Sequence, residues 1–223
     1  MIKLVIFDLD GTLIDVCEIY YRSIKESLEE FDLLCPSQEE LIEMKRKGLS
    51  GREILGSIIP NIENKDKIIQ FCEKNRLKLL NKYYYTKSSK LYPNVKEILR
   101  KLKEMNIKIA IVTLHSSTKL IENNLKKIGI FEYVDIIVAN NDGNDHKKIK
   151  FNLFKKIIHE LDIRPEECYV VGDSIYEIEA GNNIKAKTIG VSYGLSNENV
   201  LYSKKPFKIV SDIKEILDII INE

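Results

Sequence analysis

The sequence predicts an α/β protein: a parallel sheet with helices on both faces, interrupted once by an all-helical insert. Three observations carry this. Leu4 to Phe7 is an unbroken apolar run of strand-forming residues, the pattern of a strand buried on both faces. From Tyr92-Pro93 onward, short apolar strands alternate with helical stretches, which argues for βα units around a parallel sheet. Between these, residues 16 to 88 place apolar side chains at helical spacing and contain no convincing strand. The expected division is a core of residues 1–15 and 89–223 and a helical domain of residues 16–88.

Taken in order, the first strand ends abruptly in Asp8-Leu9-Asp10, and Gly11-Thr12 turns the chain. Carboxylates at i and i+2 can share one side of an extended backbone. Placing two acids together has no packing value, because a like-charge pair at ~4 Å costs roughly 4 kcal/mol at an effective dielectric of ~20. A cation site or an acid/base pair accounts for them; an ordinary Asp-Gly surface turn is the alternative. In the insert, Ile19, Tyr20, Ile24 and Leu28 start a series of about four helices, and Ser37-x-x-Glu40 and Ser50-x-x-Glu53 read as capping boxes. After it, helix 95–105 leads to strand 108–113, helix 117–128 to strand 134–139, and helix 151–161 to strand 168–172. A short helix near 175–183, strands 187–191 and 207–210 and a closing helix 213–221 complete the chain. Parallel strands share a carboxyl edge, where ligands bind in open α/β sheets. Asp8/Asp10, Thr113, the 140–150 loop and Asp173-Ser174 should therefore gather there.

Composition narrows the class. The chain has 223 residues, with 35 basic and 34 acidic side chains and a formal charge of +1, so there is no global electrostatic case for nucleic acid or a membrane surface. No apolar run approaches the ~20 residues of a membrane span, and no signal-peptide layout precedes the first strand. Cys17, Cys35, Cys72 and Cys168 form no CxxC pair, which points to reduced thiols in a cytoplasmic protein. Asp173 follows a strand, with Ser174 next and Glu177 four residues on. If that turn is helix-like, the two carboxylates face one way and up to four acids surround one point. All-oxygen ligands suit Mg²⁺ better than zinc; for Asp173 alone, a helix N-cap is the alternative. Of Lys147, Lys148 and Lys150, one could reach the acids, or all three could be solvated. Thr113 could donate its hydroxyl and a nearby backbone N–H to a phosphate oxygen.

The set DLDGT at 8–12, Thr113 after an apolar strand, Lys148 placed 25 residues before an Asp, and GDSIYE at 172–177 resembles the haloacid dehalogenase superfamily. Within it, the chain is similar to the phosphatase branch with a small helical cap, as in phosphoglycolate phosphatases and β-phosphoglucomutases. The resemblance runs from residue 2 to about 215 and implies a Rossmann-like core. It implies that Asp8 attacks phosphorus to form an aspartyl-phosphate. Asp10 would act as acid and base while its carbonyl binds Mg²⁺. Thr113, Leu114 and Lys148 would hold phosphoryl oxygens, and Asp173 would complete the metal shell with Asp8, Ser174 and Glu177 standing behind it. Departures are Leu114 where Asn is common, Ile149 where Pro often follows the lysine, Glu177 for Asp, and Val16 for Ser.

The loop KGLSGREIL at 47–55 resembles the cap segment that reaches the substrate, making Arg52 a candidate contact; an exposed charge in a first helical turn is the alternative. Tyr83, Tyr84 and Tyr85 read as linker packing rather than substrate stacking. His115 either lines the site or is a solvated loop residue, whereas His146 and His159 show no partner spacing. The expected function is a Mg²⁺-dependent phosphatase for a small phosphorylated metabolite, with a sugar phosphomutase as the alternative and a non-catalytic phosphate-binding regulator behind it. Both a monomer and a homodimer are compatible with the sequence.

Overall fold

In the structure, a computed structural model of the chain, residues 1–86, 90–140 and 145–222 are described, side chains at 81 and 83–86 excepted. The chain divides into two compact units, Met1–Asp15 with Lys90–Glu223, and Val16–Ser89.

The first unit opens with β1 (Leu4–Phe7) and the two-residue β2 (Ile14–Asp15). The second holds α1 (Cys17–Glu29), α2 (Gln38–Arg46), α3 (Gly51–Ile58) and α4 (Lys65–Thr86). Both capping boxes form: Ser37 with Glu40 opens α2, and Ser50 with Glu53 opens α3. Inside this unit the buried hydroxyls of Ser23 and Ser27 turn back to the carbonyls of Tyr20 and Ser23, each at 2.7 Å. Cys72 Sγ donates to the Ser27 carbonyl at 3.2 Å, tying α4 to α1.

The first unit resumes with β3 (Lys90–Leu91), α5 (Val95–Glu104), β4 (Lys108–Thr113), α6 (Thr118–Lys127) and β5 (Ile136–Ala139). There follow α7 (His146–Glu160), β6 (Cys168–Gly172), α8 (Ile175–Asn183), β7 (Lys187–Val191), α9 (Glu198–Tyr202), β8 (Lys208–Val210) and α10 (Lys214–Ile221). Six strands form one parallel sheet in the order β5-β4-β1-β6-β7-β8. β1 is thus interior, with Phe7 opposite Ile111 on one side and Val171 on the other. Alternate side chains separate by face. Leu4, Ile6, Ala110, Val112 and Val170 pack with Phe154, Ile157 and Ile158 of α7 and Ala180 of α8. Val5, Phe7, Ile109 and Ile111 are buried on the opposite face, where α5 lies against β4.

Three features depart from the sequence reading. The antiparallel β2–β3 ribbon and α9 are too short to leave a periodic signal. α7 starts five residues earlier than its expected start at 151, because the Asp145 side chain accepts the Lys148 N–H at 3.0 Å and caps it there. Among the described residues no helix is long and apolar enough to cross a membrane.

Candidate active site

The strand ladder carries Asp8 to the carboxyl edge of the sheet. Its N–H donates to the Val171 carbonyl at 2.9 Å, extending the β1–β6 pairing one residue past the strand. The residue is 9 % exposed. Burial drives the Asp8 carboxyl up, the adjacent ammonium of Lys150 pulls it back, and the balance leaves it at about 7. Lys150 is 1 % exposed. It forms an ion pair with Asp8 Oδ1, a second with Glu177 Oε1 at 3.0 Å, and donates to the Val112 carbonyl at 2.9 Å. Burial opposes its charge, but Asp8 and Glu177 outweigh that and hold its pKa above the ordinary lysine value.

This corrects the choice of lysine. Lys148 is exposed, and Lys147 pairs with Glu179 on α8. The reason is helical phase: Lys150, Phe154, Ile157 and Ile158 stand at i, i+4, i+7 and i+8, the buried stripe of α7. Lys148 points off that stripe.

Asp10 lies three residues beyond β1, where Gly11 takes a left-handed φ of 80° and donates its N–H to the Ile14 carbonyl at 2.8 Å. Asp10 Oδ2 is 2.7 Å from His115 Nε2. Burial disfavours the imidazolium, yet the charge and hydrogen bond of Asp10, with the charge of Asp8, raise the His115 pKa above its ordinary value. Asp10 Oδ1 is buried without a hydrogen-bond partner among the described residues. Thr113 ends β4, 2 % exposed, its carbonyl accepting the Asn140 N–H at 3.1 Å. Leu114, half-buried, follows it.

Asp173 is buried after β6, with Oδ2 accepting the Leu195 N–H at 2.7 Å. It occupies a crevice that only glycines permit, since a Cβ at Gly11 or at Gly194 would collide with its side chain. Ser174 caps α8, its hydroxyl accepting the Tyr176 N–H at 3.2 Å. Glu177 Oε2 accepts from the Ser174 N–H at 3.1 Å and from the Ser174 hydroxyl. Glu177 therefore turns toward Ser174 and Lys150, which corrects the expectation that it shares a face with Asp173. Ser174 has extended backbone (φ −124°, ψ 161°), so the i, i+4 rule does not apply across the start of the helix.

Among the described residues no group of three or more His, Cys, Asp or Glu is arranged as a metal cage. Mg²⁺ does not require one: it binds through one or two carboxylates, keeping waters and taking up substrate phosphate oxygens. The all-oxygen donor set of Asp8, Asp10 and Asp173 fits such an ion. Elsewhere, Arg52 pairs with Glu73 at 3.2 Å within the helical unit. His146 stacks edge-on against Tyr176, with ring centroids 5.4 Å apart, and His159 is exposed at the end of α7. The side chains of Tyr83, Tyr84 and Tyr85 lie outside the described residues.

A parallel α/β sheet with buried acids and a buried lysine at its carboxyl edge defines a class of hydrolase cores. The haloacid dehalogenase-like hydrolase model matches residues 5–191. A Clostridium perfringens protein provisionally named pyrophosphatase PpaX is 34 % identical over 99 % of this chain and 98 % of its own length. A Bacillus cereus pyrophosphatase PpaX is 28 % identical, covering 99 % of this chain and 97 % of itself. The crystal structure of a Clostridium difficile protein provisionally described as a phosphatase has a TM-score of 0.79 and 26 % identity, with 98 % of both chains covered. The chain belongs to the haloacid dehalogenase-like hydrolase family, in its phosphatase branch.

Proposed function

We propose that the protein is a Mg²⁺-dependent phosphatase that acts on a small phosphorylated metabolite through an aspartyl-phosphate on Asp8. The observation that carries this is the buried Asp8–Lys150 pair at the end of the central strand. An anionic nucleophile cannot approach a phosphate dianion unless positive charge offsets the encounter, and Lys150 is fixed there by three contacts. With Lys150 on Oδ1, Oδ2 of Asp8 attacks phosphorus. The bond to the leaving oxygen breaks as Asp10 gives that oxygen a proton; Asp10 then takes a proton from the water that attacks the same phosphorus, releasing Asp8 and phosphate. Thr113 and the backbone at Leu114 hold the transferring oxygens. Mg²⁺, held by Asp8, the Asp10 carbonyl and Asp173, would supply further charge neutralisation.

Relatives named pyrophosphatase put inorganic pyrophosphate beside phosphorylated metabolites as the substrates to test, in a cytoplasmic setting. The experiment is a phosphate-release assay over that panel, with Mg²⁺ and then with EDTA, for the wild type and for Asp8→Asn. Turnover that EDTA and Asp8→Asn each abolish is expected. Full activity in Asp8→Asn would overturn the nucleophile assignment.

A further inference from the structure

Resting on the phosphatase reading, we propose that His115 is a positioning residue for Asp10: it holds Oδ2 so that the proton Asp10 exchanges is carried on Oδ1. The two side chains come from neighbouring strands. Asp10 follows β1 and His115 follows β4, whose residues 108–111 pair with all four residues of β1. Their contact, Nε2 to Oδ2 at 2.7 Å, spans 105 residues of sequence. An ionised carboxylate only accepts hydrogen bonds, so Nε2 carries the hydrogen in this contact. The His115 side chain is 12 % exposed, and packing restricts its ring to few orientations. The other carboxylate oxygen, Oδ1, is buried with no partner among the described residues.

The division has a chemical consequence. A carboxylic acid turns readily about the bond to its carboxyl group, since that torsion is broad and roughly two-fold. Gripped at Oδ2, Asp10 loses that freedom, and Oδ1 becomes the oxygen that gives a proton to the leaving group as the phosphorus–oxygen bond breaks. The same oxygen later receives the proton of the attacking water. His115 itself touches neither phosphorus nor the leaving oxygen. Its loss should therefore matter in proportion to how much the leaving group needs a proton: an alkoxide needs one, whereas 4-nitrophenolate leaves without it.

The test uses the full chain with Mg²⁺ and compares kcat/KM, which reports the step in which the leaving group departs, on 4-nitrophenyl phosphate and on an alkyl phosphomonoester. His115→Leu removes the donor. His115→Gln puts an amide N–H near the place of Nε2, and His115→Asn has an amide that is too short to reach. Leu and Asn variants, which keep Asp10 but lose its positioning, should lose roughly 30- to 100-fold on the alkyl ester, part of the roughly 10²–10⁴-fold that general acid catalysis supplies, and less than about 5-fold on the aryl ester. The Gln variant should recover most of the alkyl activity. Equal losses on both esters, or a Gln variant no better than Asn, would overturn the positioning role. Absence of any Mg²⁺-dependent phosphate release from the wild type is a separate result, which would remove the phosphatase reading and this inference with it.

Discussion

Replacing Lys150 by Met tests the electrostatic arrangement most directly. The ammonium is 1 % exposed and sits between two carboxylates whose side chains are only 10 % and 4 % exposed. Methionine fills nearly the same volume, so the loss is electrostatic rather than a cavity. Removing one partner of a buried ion pair costs about 3–5 kcal/mol net, because the remaining charge is left buried and uncompensated. For a chain of this size 1 kcal/mol corresponds to roughly 2–4 °C, so the core transition should fall by about 10 °C at pH 7. The pH dependence has a defined sign. Asp8 has a folded pKa of about 7 against an ordinary value of 3.8, and losing Lys150 removes the influence that lowers it. The folded state then binds the proton more tightly than the unfolded state, so stability present near pH 4 is lost as pH rises through the folded value. The penalty of the variant should thus be smallest near pH 5 and grow toward pH 8. Thermal unfolding followed by circular dichroism over pH 5–8 measures it, and phosphate release should drop at least about 100-fold. Lys148→Met, at an exposed position, should stay within about 0.5 kcal/mol and keep its activity. The reverse outcome, Lys148→Met inactive and Lys150→Met unaffected in melting and turnover, would refute the assignment.

Other expectations follow from the same geometry. Asp8→Asn should leave the fold intact and abolish turnover, and trapping of a phosphorylated chain from labelled substrate should vanish with it. Protons and Mg²⁺ compete for Asp8, so the apparent Mg²⁺ dissociation constant, read by calorimetry, should rise about tenfold per pH unit below about 7; a constant affinity from pH 5 to 7 would count against Asp8 as a ligand. Gly11→Ala combines a φ of 80° with a collision against Asp173; it should cost about 1–2 kcal/mol and weaken Mg²⁺ binding, whereas Gly56→Ala, a helical position where an added Cβ would make only an ordinary 3.9 Å contact with Ile69, should do neither.

The strands were readable because a strand buried on both faces has little choice but an apolar run: Leu4–Phe7, Lys108–Thr113 and Cys168–Gly172 announce themselves, and the acids that end them follow by parallel topology. What was not readable depended on where a helix begins. The apolar spacing alone starts the helix at Phe151 and leaves the three lysines ahead of it, where sequence distance from Asp173 is the remaining guide. Moving the start to Asp145 brings the stripe of Phe154, Ile157 and Ile158 back to Lys150. The i, i+4 spacing of Asp173 and Glu177 brings carboxylates together only when both residues lie in the helix, and Asp173 precedes the Ser174 cap. His115 could not be linked to Asp10 by any spacing, because a contact 105 residues apart depends on β4 lying beside β1.

The glutamate at 177 has a structural reason that bears on the chemistry. As the N3 residue of α8 it must reach back to the Ser174 N–H to close a capping box, a reach suited to Glu or Gln. Gly172 leaves the space for that fold-back, since a Cβ there would strike Glu177. With Oε2 committed to Ser174, Oε1 is fixed 3.0 Å from Lys150. The lysine charge is thereby shared between a structural acid and Asp8. Asp8 is left with an incompletely neutralised charge in a buried place, which a divalent cation and a phosphoryl group can satisfy and which the helix cap itself helps to maintain.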